Sequence, residues 1–87
     1  MISGVTRSGF AFEVDEAVAN DMELFEALCD LDNGDATAVV PVCRIILGKQ
    51  KKALYDHLRR DNGTVPIEDV SDAIMEVIEA LGDDGKN

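Results

Sequence analysis

The 87-residue chain is 46% hydrophobic but only 5% aromatic, lacks Trp, and sets 18 Asp and Glu against 8 Lys and Arg, a net charge of -10. That size and composition predict one compact domain burying only about 60% of its unfolded surface, so a partner or second copy is expected to add to its stability. The negative charge excludes ordinary nucleic-acid and membrane-surface binding, and no stretch approaches the roughly 18 to 20 apolar residues of a membrane span or the pattern of a secretory signal, which predicts a cytoplasmic protein.

Phe10, Phe12 and Val14 alternate with exposed positions, and Arg7-Ser8-Gly9 can turn the chain back towards Ile2 and Val5. Residues 1–14 therefore read as a short β-hairpin or lone strand, which needs a docking partner to be stable. Residues 15–19 read as loop or an early helical turn. Asn20 stands three residues ahead of Glu23, the spacing of a reciprocal helix cap, and predicts a helix over 20–32 that Asn33-Gly34 stops. In it Leu24, Leu28 and Leu31 form an inner stripe widened by Phe25, while Met22, Phe25 and Cys29 form a second apolar line. Pro41 biases Val40 away from helical backbone, so a turn is expected before a short buried helix over 41–47, ended by Gly48.

Lys49 opens an amphipathic helix over 49–60 with Leu54, Tyr55 and Leu58 inward and Lys49, Lys52, Arg59 and Arg60 outward; Asp61-Asn62-Gly63 stops it. The last helix, 66–81, starts on Pro66 with Glu68 and Asp69 at its positive end. Its stripe of Ile67, Val70, Ile74, Val77, Ile78 and Leu81 marks it as the central packing element, Gly82 closes it, and residues 83–87 read as a disordered acidic tail. The whole is mainly α: a small single-domain bundle of about four helices with a short N-terminal β-hairpin or strand.

Catalytic, metal and cofactor chemistry find no support. Asp30 to Asp35 imitates a calcium loop, but its Gly falls one place early and the position due a bidentate Glu is Pro41. The three serines follow Ile2, Arg7 and Val70, not the Asp that precedes the prosthetic-group serine of an acyl carrier. Cys29 and Cys43 lack metal or redox spacing and read as small apolar filler, and His57 reads as an ordinary surface or half-buried histidine.

Charge is segregated: residues 1–48 hold 2 bases and 9 acids, residues 49–60 hold 5 bases and 1 acid, and residues 61–87 hold 1 base and 8 acids. The basic segment is either a solvated face or the complement of an acidic surface, within the fold or on a second copy, which makes Lys52 and Arg59 candidates for self-association. Met22, Phe25 and Cys29 broaden the apolar arc of their helix beyond what one core contact needs. They are either a helix side touching two neighbours or a surface for a client helix.

The order of motifs carries a resemblance. The succession FAFEVDE, DMELFEAL, NGD, IILG, then Leu54-Tyr55-Asp56-His57-Leu58-Arg59 and Asn62-Gly63-Thr64-Val65-Pro66, resembles the small tail assembly chaperones encoded by long-tailed bacteriophages and prophages of Gram-positive hosts. It spans Phe10 to Leu81. The resemblance implies a non-enzymatic protein, without cofactor, that binds the aggregation-prone tape measure protein in the host cytoplasm and is displaced by tail tube subunits, so that it is absent from the finished virion. It also implies a longer product made by ribosomal frameshifting. Two other roles fit the same composition: a small acidic regulator of a basic protein surface, and a minor structural subunit of a phage particle.

Overall fold

The computed structural model describes residues 1–85, with side chains through Gly82. Strands β1 (Ile2–Val5) and β2 (Ala11–Val14) pair antiparallel, Ile2 opposite Val14 and Gly4 opposite Phe12. Alternation sends Ile2, Phe12 and Val14 inward with Phe10 just before them, so the hairpin is one wall of the core, as its sequence predicts. The reversal is tied by Thr6 N–H to the Phe10 carbonyl and Gly9 N–H to the Thr6 carbonyl, both 2.9 Å. His57 braces it from outside: Nε2 donates to the Ser8 carbonyl at 2.9 Å, and the ring tilts against Phe10.

A 3-10 turn (Glu16–Asn20) follows, capped by Asp15, and leads into α1 (Met22–Asp32). The cap of α1 is Asp21, whose carboxylate accepts Glu23 N–H at 2.9 Å, not Asn20. Asn20 belongs to the preceding turn, and Asp21 has the extended backbone a cap requires. Gly34 closes α1 in the left-handed conformation, φ 97°, as Asn33-Gly34 predicts.

Helix α2 (Val39–Leu47) starts two residues before Pro41, correcting the turn expected there. Its approach is a 3-10 turn over Ala36–Ala38, capped by Asp35. Pro41 is the third helical residue, where the N–H lacks an intrahelical partner in any case, so Val40 is helical despite preceding a proline. Helix α3 covers Gln50–Leu58 rather than 49–60. Arg59 turns extended because residues 59–64 bond among themselves: Arg60 N–H to the Thr64 carbonyl at 2.8 Å, Arg59 Nη1 to the Gly63 carbonyl at 2.9 Å, and Thr64 N–H to Asn62 Oδ1 at 3.0 Å. Helix α4 covers Ile67–Gly85. Gly82 lies inside it without positive φ, so it does not end the helix; of the expected tail, residues 83–85 are helical and 86–87 lie outside the described residues.

The protein is mostly helical with an N-terminal antiparallel hairpin, built on one core. Among the described residues its largest fully buried side chains are Val14, Val42, Cys43, Leu54, Ile74 and Val77. The hub is α2, not α4: its VVPVCRIIL segment carries a single charge and packs on α1, β2, α3 and α4. Cys43 serves as apolar filler, and burial pushes its thiol pKa up, which keeps it protonated. Gln50 at the start of α3 locks the hairpin to the helices by pairing with both backbone groups of Glu13.

Candidate functional site

The core consumes only part of the apolar surface. On α1 it takes Leu24 and Ala27, leaving Leu28 and Leu31 half-buried, Cys29 exposed, and Phe25 and Met22 at 62% and 66% exposure. The second apolar line is therefore a surface and not an inter-helix contact. On α4 the core takes Val70, Ala73, Ile74, Val77 and Leu81. Ile78 is half-buried, and Ile67, read as part of the buried stripe, is 75% exposed. Met75, outside that stripe, is 46% exposed.

Geometry joins these leftovers. Among the described residues α1 and α4 are not a closely packed pair: α1 packs mainly on α2, and α4 on β1, α3 and, more lightly, α2. Between them runs an apolar groove of about 600 Å³, lined by Leu28 and Leu31 from α1, Val39 from α2, and Ile67, Met75 and Ile78 from α4. Val39 and Ile67 also line a smaller extension of about 160 Å³ with Val40, Tyr55 and Val65. Phe25 stands one helical turn before Leu28, so the exposed line of α1 continues into the groove wall. A groove of this size and lining is the usual form of a site for an apolar ligand or a helix laid in lengthwise.

The predicted site residues divide. Met22, Phe25 and Cys29 share one exposed face beside the groove. Lys52 and Arg59 lie on and just after α3, away from it, and the Arg59 guanidinium is occupied by the Gly63 carbonyl and by Asp56 at 3.2 Å. Lys52 is exposed. The α4 half of the groove escaped sequence reasoning because stepping by three and four identifies an apolar side without telling whether a neighbour covers all of it. Met75, apolar yet off the stripe, is the one signal that pointed there.

A second hollow, lined by Arg7, Ser8, Leu58, Asp69, Asp72, Glu76 and Glu79, lies on the other side of the Met75 ridge. It is polar and partly neutralised: the Arg7 backbone N–H donates to Glu76 at 2.9 Å, the Arg7 guanidinium approaches the same carboxylate at 3.9 Å, and Arg60 approaches Asp69 at 3.8 Å. Among the described residues no helix is long and apolar enough to cross a membrane, and no three His, Cys, Asp or Glu side chains converge to hold a metal ion. No family profile, curated protein or solved structure matches the chain.

Proposed function

We propose that this protein is a non-enzymatic carrier that holds an apolar helical segment of another polypeptide, in the manner of a tail assembly chaperone keeping the tape measure protein soluble in the host cytoplasm and yielding it to tail tube subunits. The observation that supports it is the uncovered groove between α1 and α4, extended by Phe25 and Met22, on a molecule of net charge -10. A carrier needs both features, since apolar surface makes the contact and like charge keeps the coated assembly dispersed.

Co-expression with a tape measure protein tests this directly. The client moves from the pellet to the soluble fraction in the presence of the wild-type chain and stays in the pellet with a Met22→Ser, Phe25→Ser, Met75→Ser triple variant whose circular dichroism matches wild type. A client that stays soluble with the triple variant would show that the groove is not the contact. The acidic-regulator alternative finds its best feature in the α4 carboxylates of the polar hollow, but Arg7 and Arg60 already engage two of them. Capture of a compact basic protein in preference to the long client would favour that role, and retention in purified particles would favour a structural subunit.

A further inference from the structure

We propose that the occupant of the α1–α4 groove is an amphipathic helix whose apolar stripe is flanked by Lys or Arg. This names the client chemistry of the carrier function and rests on it. The groove floor is apolar, but both margins are acidic. On the α4 ridge, Glu68, Asp72 and Glu79 are exposed and share a helix line with Met75, which lines both the groove and the polar hollow behind it, where Asp72 and Glu79 also stand. On the α1 side Asp32 lines the groove, and the last turn of α1 contains no basic residue. Acids at a helix C-terminus oppose the helix dipole, so Asp30 and Asp32 add to the negative end of α1 at the groove mouth rather than neutralise it. Among the described residues no Lys or Arg lines the groove; Lys51, over the Tyr55 ring, lies beside the smaller extension.

Those margins decide between occupants. A second copy laid symmetrically groove to groove would bring acidic ridge against acidic ridge, a like-charge contact. The basic face of another copy does not fit either, because the exposed side of α3 and its cap offers Lys49, Lys52, Ala53, Asp56 and His57 and no large apolar side chain to enter the groove. A helix with apolar residues at i, i+3, i+4 and i+7 and basic residues beside them satisfies floor and margins together. The α4 wall from Ile67 to Ile78 spans about 16 Å, or three helical turns, enough for three or four such anchors.

The test uses three synthetic peptides of roughly 18 residues, long enough to form helix when bound. One has a Leu stripe flanked by Lys, one the same stripe flanked by Glu, and one the Lys positions without the stripe. Titrations at low salt are expected to show the first bound about tenfold tighter than the second, a gap that narrows as ionic strength rises, with the third bound least. Asp72→Lys/Glu79→Lys is expected to reverse the order of the first two, and Asp32→Lys, an independent variant at the other margin, to shrink the gap. Equal affinity for the Lys- and Glu-flanked peptides overturns the charge selection and leaves the carrier function standing. Binding of neither overturns both. Equal affinity for the stripe-free peptide overturns the groove as the contact. A dimer in sedimentation that Met75→Glu converts to monomer overturns the proposal in favour of a second copy.

Discussion

Gly4 faces Phe12 across the hairpin, and a Cβ added to it would stand 2.9 Å from the Phe12 ring. The ring is buried against the core, so shifting it to make room is costly, and Gly4→Ala is expected to cost about 1–3 kcal/mol, a drop of several degrees in thermal midpoint. An unchanged melting curve would show that the ring is held less firmly than its burial indicates. By contrast Phe25→Ser is expected to change stability by no more than about 0.5 kcal/mol, because that ring lies outside the core. Phe10, Phe12 and Val14 were legible as inward residues, since alternation alone places them on one face. The seat provided by Gly4 was not, because it depends on a strand register that brings together residues eight positions apart.

At the level of elements, the order of hairpin and four helices follows from local signals: alternation, stepping by three and four, and the Asn-Gly stops. Boundaries shifted where two signals competed for one residue. Both Asn20 and Asp21 are good caps, and the 3-10 turn over Glu16–Asn20 decides for Asp21. Asp21→Ala is therefore expected to destabilise the fold by about 1 kcal/mol and Asn20→Ala by little, as chemical denaturation would measure; the opposite ranking would restore Asn20 as the cap. Pro41 misled in the other direction, because its penalty vanishes in the first turn of a helix, and where α2 begins depends on the Asp35-capped turn before it. Half of the candidate site was legible on the same grounds. The Met22, Phe25 and Cys29 line could be drawn on one helix, whereas the groove depends on how far α1 and α4 are held apart by α2, which neither helix encodes alone.

Across the whole molecule, the segregated charges are only partly spent inside the fold. Arg7, Arg59 and Arg60 pair with Glu76, Asp56 and Asp69 in exposed contacts, each worth little to stability. Most of the acidic excess remains exposed on the surface. If that coat is what keeps Met22, Phe25 and Met75 in solution, it should fail where the carboxylates lose their charge. Near the sequence pI of about 4.2 the net charge vanishes while the apolar patch is unchanged, so light scattering should rise steeply as pH falls from 7 towards that value. The Met22→Ser, Phe25→Ser, Met75→Ser variant reaches charge neutrality at the same pH, since it alters no ionisable group, and is expected to stay clear there. Equal turbidity in both proteins would mean that loss of charge alone drives association and that the exposed apolar surface has no part in it. Clearing of the variant alone would tie together the two properties a carrier must combine, adhesive apolar surface and the charge that restrains it.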